Sequence, residues 1–182
     1  MEEGSITIDG IDLSTIPRQE VRGRLNTVAQ DLCSPSQSLR HQIDPFDIST
    51  DEAIIQALEK VGLWSIFEPQ GGLDEDLAEG LLSVGQRQLL GIARALVRPG
   101  KIVILDEATS SLDPESDKMV QRLLKEEFAD RTVIHVAHKL DSVMEFDRIF
   151  VMSNGRIVEN GNPRELMETP GSALKALFDA MH

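Results

Sequence analysis

The chain has 182 residues, 41% hydrophobic and 27% charged, which is enough for one domain with an apolar core and argues against two. Its net charge of −13 excludes unspecific nucleic-acid binding, which needs clustered Lys and Arg, so no nucleic-acid partner is expected. One cysteine, Cys33, excludes an internal disulfide, no apolar run reaches the roughly 20 residues that span a bilayer, and the acidic start Met1-Glu2-Glu3 is unlike a signal peptide.

Taken in order, residues 5–8 and 11–13 flank Asp9-Gly10, the dipeptide suited to a turn with positive φ at both positions, and predict a hairpin. A short helix is expected after Pro17, then a strand over 25–29 that ends at Gln30-Asp31. From Ser34 to Gln70, Pro35, Pro45 and Pro69 punctuate polar loops. Between them, Thr50 caps a helix from about 51 to 63. Its apolar residues Ile54, Ile55, Leu58 and Val61 share one face, and Gly62 lies near its end. This predicts a small helical subdomain in which Trp64 serves packing.

Ser83 followed three residues later by Gln86 is a capping box, and the free amides of such a helix start carry partial positive charge suited to anions. The box accounts for Ser83 and Gln86 by helix stability alone. It does not account for Gly85, which costs about 1 kcal/mol relative to alanine inside a helix and suits a close approach of something to the backbone. Leu89, Ile92, Ala93 and Leu96 give this helix an apolar face, and Arg98-Pro99-Gly100 marks its end.

Residues 102–105, Ile-Val-Ile-Leu, are uniformly apolar and predict a strand buried on both faces, ending in Asp106 and Glu107. Asp113-Pro114 opens the next helix, whose apolar face is Met119, Val120, Leu123, Leu124 and Phe128. A strand over 132–137 follows, with His138 at its end and His135 within it as a structural residue. This strand, helix, strand order is a βαβ unit, so its two strands should be parallel, and Asp106, Glu107 and His138 should share the carboxyl edge where open α/β sheets bind ligands. Residues 148–152 and 156–159 flank Ser153-Asn154-Gly155 as a second hairpin, and two helical pieces broken at Pro170-Gly171 complete the chain.

Leu82-Ser83-Val84-Gly85-Gln86, with Asp106-Glu107 twenty residues further on, resembles the signature and Walker B motifs of ATP-binding cassette (ABC) domains. The run Leu39-Arg40-His41-Gln42-Ile43-Asp44-Pro45-Phe46, with Val61-Gly62-Leu63-Trp64 and Gly71-Gly72-Leu73-Asp74, resembles the second nucleotide-binding half of the multidrug-resistance-associated (C) subfamily. The resemblance implies an ATPase with ATP and Mg²⁺ as cofactors. It assigns Asp106 and Gln30 to the metal, Glu107 as general base and His138 as a second catalytic residue against the γ-phosphate. Gln30, Ser83, Gly85, Gln86 and Asp113 become nucleotide contacts, those of the signature and D-loop reaching an ATP held by an opposite cassette.

One departure is plain. The phosphate-cradling motif Gly-x-x-x-x-Gly-Lys-Ser/Thr is absent: the one Gly-Lys, Gly100-Lys101, precedes a strand and has Ala95 where the first glycine should stand. Family cassettes carry that motif just before the segment matching 4–10, so the resemblance implies an N-terminally truncated cassette. The expected fold is α/β, a P-loop NTPase-type parallel core lacking its P-loop strand and helix, with a small helical subdomain and an N-terminal β-hairpin. One partial domain over 1–182 is expected, its helical subdomain at about 35–98 and its core at 1–34 and 99–182. Without the missing strand and helix, apolar sheet faces should stand uncovered and favour aggregation.

The function implied is the C-terminal portion of an ABC transporter ATPase domain, coupling ATP binding and hydrolysis to export at the cytoplasmic face of a membrane. Its partners would be a second nucleotide-binding domain, paired head to tail, and transmembrane domains. The alternative is a non-hydrolysing module that lends its signature and D-loop to a partner's ATP site. A soluble cassette of the DNA-repair or translation type is disfavoured, because 30–83 has no room for long coiled-coil insertions.

Overall fold

A computed structural model describes residues 4–28, 37–78, 80–137 and 139–181, which fall into two compact units, Met1–Val136 and Ala137–His182. In the first, strands β1 (Thr7–Ile8) and β2 (Ile11–Asp12) form the expected antiparallel hairpin. Asp9 and Gly10 hold its turn at φ 50° and 78°. Helix α1 (Arg18–Arg24) leads into β3 (Leu25–Val28). Ala29, Gln30 and Asp31 lie outside the described residues.

The middle of the chain is helical: α2 (Leu39–Ile43), α3 (Asp51–Lys60), α4 (Trp64–Phe67) and α5 (Val84–Val97). Thr50 caps α3 by accepting from the Ala53 amide, and Ile54, Ala57 and Leu58 are buried on its inner face. The long helix α5 is buried more widely than its one predicted stripe, because α2, α3 and β3 all pack on it. Leu90, Gly91 and Ala95 are buried along with Leu89, Ile92 and Ala93. Arg94 donates its Nε to the Gln42 carbonyl at 2.7 Å, tying α5 to α2. The last carbonyls of α5, which no helical amide can reach, accept side-chain donors: Arg131 Nη1 reaches Ala95 O at 3.1 Å and Asn26 Nδ2 reaches Arg98 O at 3.1 Å.

Strands β4 (Ile102–Asp106) and β5 (Thr132–Val136), joined by α6 (Pro114–Glu127), form a three-stranded parallel sheet with β3, in the order β3, β4, β5. This is the predicted βαβ unit with adjacent parallel strands. The expectation that β4 is buried on both faces is corrected: Val103 and Leu105 are buried, whereas Ile102 and Ile104 are only half-buried. A uniformly apolar run records that both faces can be covered. It does not record that both are.

In the second unit, α7 (Leu140–Val143) precedes the antiparallel strands β6 (Ile149–Ser153) and β7 (Arg156–Gly161), then α8 (Pro163–Glu168) and α9 (Ala173–Met181). Val151, Leu166 and Leu174 are its core. The Glu159 carboxylate accepts from Ser172 Oγ at 3.0 Å and from the Leu174 amide at 2.9 Å, fastening the start of α9 to β7. Among the described residues no helix is long and apolar enough to cross a membrane.

Candidate functional site

The N-terminal turn of α5 has the predicted capping box. Ser83 Oγ accepts from the Gln86 amide at 3.2 Å, and Gln86 Oε1 accepts from the Ser83 amide at 2.9 Å. The box fixes the first turn of α5, and a helix start of this kind suits anions. Asp113 caps α6 by accepting from the amides of Glu115 and Ser116, each at 3.0 Å, and from Ser116 Oγ at 2.7 Å. The bond from the Ser116 amide is the largest of the influences that hold its carboxyl below the usual carboxylate range.

These two helix starts meet. Ser83, Gly85, Gln86 and Asp113, four of the residues singled out by the sequence, line one open groove of about 810 Å³, together with Val61 and Leu63 of the helical region. A volume of this order is usual for small-molecule sites, which range over roughly 300–1,000 Å³. Gly85 has a reason that the sequence did not disclose. A methyl group there would lie 3.1 Å from the Ser111 carbonyl oxygen and 3.6 Å from Leu112 Cδ2. The close approach at this backbone thus comes from within the chain: an added methyl group would press the Ser111 carbonyl back by a few tenths of an ångström, which gives Gly85 a packing role apart from any ligand.

Asp106 ends β4 and is exposed, at the carboxyl edge of the parallel sheet. Glu107 follows with φ at 52°, a left-handed conformation that a residue with a Cβ seldom adopts. Its amide donates to Val136 O at 3.1 Å on the neighbouring strand, and its carbonyl accepts from the Ser110 amide at 3.1 Å. Gln30 and His138, the other residues predicted at this edge, lie outside the described residues. His135 is half-buried on β5, where burial lowers its pKa against a smaller opposing pull from Asp117.

Sequence reasoning missed Gln88, one turn beyond Gly85. It is buried, donates Nε2 to Glu107 O at 3.2 Å and to Ser110 Oγ at 3.0 Å, and accepts the Ser111 amide at 3.0 Å. The one available signal was a glutamine on the buried face of an amphipathic helix.

Among the described residues no group of three His, Cys, Asp or Glu is placed to hold a metal by itself. That donor set still fits Mg²⁺, which in phosphate sites keeps several waters and takes one or two carboxylates plus the phosphate oxygens. Asp106 is the exposed carboxylate that would supply the protein's share.

A family model described as ABC transporter matches residues 1–110, more than half of the chain. The chain belongs to the ABC transporter family. It is 44% identical over 98% of its length to ABC multidrug transporter B of Aspergillus fumigatus and 44% identical over 92% to human ATP-binding cassette sub-family C member 2. It spans 12% and 11% of those two proteins. Among solved structures it matches a bacterial Atm1-family ABC exporter with ATP bound, at a TM-score of 0.89 and 28% identity, over 98% of this chain and 32% of that one. That exporter thus shares the mixed α/β fold of this chain.

Proposed function

We propose that this chain is the C-terminal portion of an ABC transporter ATPase domain, one partial cassette over 1–182, which in a whole transporter couples ATP binding and hydrolysis to export. The observation that carries this reading is the convergence of Ser83, Gly85, Gln86 and Asp113 on one groove, held to a sheet edge where Asp106 and Glu107 emerge. In this reading the α5 amides near Ser83 and Gly85 receive the γ-phosphate of an ATP carried by a second nucleotide-binding domain, paired head to tail. At the cassette's own ATP site, Asp106 would hold Mg²⁺ through its water shell. When bound, that ion would offset the negative charge of the phosphates. Glu107 holds and accepts a proton from the attacking water, while Gln30 and His138 reach the same phosphates. The likeness to multidrug transporter B and to a bacterial ABC exporter supports adding transmembrane domains and the cytoplasmic face of a membrane to the proposal.

Asp106, Glu107 and Asp113 gather like charge, and the sequence has no Gly-x-x-x-x-Gly-Lys motif. The chain alone is therefore expected to bind MgATP weakly and to turn it over negligibly. Micromolar binding in a calorimetric titration would overturn this. Mixed with an intact cassette of the family, the chain should change the partner's ATP turnover, and Ser83→Arg should abolish the change by filling the groove with a bulky side chain. A wild-type chain without effect on any such cassette, in the presence of MgATP, counts against the reading. The alternative, a non-hydrolysing module that lends its signature and D-loop, is separated by Glu107→Gln. Stimulation of the partner that survives Glu107→Gln but not Ser83→Arg favours that module. In a form completed by a relative's P-loop segment, Glu107→Gln should abolish hydrolysis.

A further inference from the structure

The peptide of Ser111 is gripped from both sides by the first two turns of α5. Its carbonyl oxygen packs against the bare Cα of Gly85, where a methyl group would come within 3.1 Å. Its amide donates to Gln88 Oε1 at 3.0 Å. Gly85 and Gln88 are three residues apart and so share a face of the helix. The other end of the Gln88 amide spends both of its protons, one on Glu107 O and one on Ser110 Oγ. At 3% exposure this amide has little access to water as a substitute partner. Removing it would leave the Ser111 donor short of its acceptor inside the protein.

The consequence reaches Glu107. Its left-handed backbone is held by its amide on Val136 O and by its carbonyl, which accepts from both Ser110 N and Gln88 Nε2. A sparsely populated conformation persists when its surroundings over-determine it. Two of these restraints come from other elements, Val136 from β5 and Gln88 from α5, the helix that also presents Ser83.

We propose that Gln88 is a positioning residue. It joins the start of α5 to the 107–111 loop, so that Ser83, Gly85 and Asp113 meet a triphosphate as one preformed surface and Glu107 is presented from a fixed backbone. The role rests on the reading of these residues as nucleotide contacts given above. A purely space-filling glutamine would be replaceable by methionine, which has similar length and volume and none of the three hydrogen bonds. A positioning glutamine would not.

The test uses the whole chain as wild type, Gln88→Met and Gln88→Glu. Amide hydrogen exchange of Ser111 should be at least about tenfold faster in the Met variant, while Ile92 and Ala93 in the middle of α5 keep their protection. Glutamate retains an acceptor for Ser111 and no donor for the Glu107 carbonyl, so it should restore Ser111 protection and still impair function. With an intact cassette, both variants should lower the stimulated kcat by about tenfold with the KM for ATP little changed, the pattern of an interaction made in the transition state. Wild-type Ser111 exchange in Gln88→Met overturns the inference, as does full stimulation by that variant. If the Met variant does not fold, Gln88→Glu decides by the same kcat reading. A wild-type chain that stimulates nothing speaks against the parent reading alone, and Ser111 exchange then decides the role of Gln88.

Discussion

Gly100 and Gly23 show how one residue type can be required in one place and replaceable in another. Gly100 sits between α5 and β4 with φ at 153°, and a methyl group there would lie 2.8 Å from the Arg24 carbonyl oxygen. Backbone cannot swing aside as a side-chain tip can, so Gly100→Ala should destabilise the chain by about 2 kcal/mol. Gly23, inside α1, has nothing within 4 Å of the same added atom. Gly23→Ala should therefore be neutral or stabilise by roughly 0.5 kcal/mol, through helix propensity. Paired urea unfolding curves check both, and equal shifts for the two would contradict the argument.

At the scale of elements, α6 and α9 are each started by a carboxylate that accepts backbone amides. Asp113 is held below its ordinary pKa first by the Ser116 amide, and Glu159 first by the Leu174 amide. A carboxyl whose folded pKa is depressed binds its proton more readily in the unfolded chain. Its stabilising contribution is present above the ordinary carboxylate value, about pH 4, and is lost as pH falls below it. Thermal melts from pH 7 to pH 3 should fall steeply below about pH 4. Asp113→Asn keeps a cap that does not titrate and should flatten part of that fall. Asp113→Ala should lower the melting temperature at pH 7 itself. An Asn variant with the full wild-type acid sensitivity would show that the Asp113 cap is not a source of the slope.

At the scale of the whole molecule, two effects oppose each other. Ile134 and Val136 lie on one face of β5, 50% and 48% exposed, and Phe150, Met152, Ile157 and Val158 are exposed on β6 and β7. Apolar sheet surface of this kind promotes self-association, whereas a net charge of −13 keeps copies apart at low ionic strength. Salt should decide the outcome, since screening shortens the reach of the repulsion to about 8 Å at physiological ionic strength. Sedimentation velocity should show association rising with salt and reduced in the Ile134→Thr, Val136→Thr double variant. A monodisperse monomer at every salt concentration would remove the uncovered sheet faces from the account.

The local sequence by itself determined whatever depends on near neighbours. Asp9-Gly10 and Asn154-Gly155 made their turns, Thr50, Ser83 and Asp113 capped their helices, and the βαβ order made β4 and β5 parallel, because each of these signals acts within a few residues or through chain connectivity. The motif residues of the candidate groove were legible for the same reason, since Ser83, Gly85 and Gln86 are contiguous and Asp113 opens the next helix. Only the tertiary structure decided what faces them. That Gly85 is matched to the Ser111 carbonyl, that Gln88 is a buried clamp on Glu107, and that β4 is fully buried on one face alone depend on which element packs where. A glutamine on an amphipathic helix reads the same whether it ends in water or against a backbone 23 residues away, and burial is a property of the partners that no single stretch of chain records.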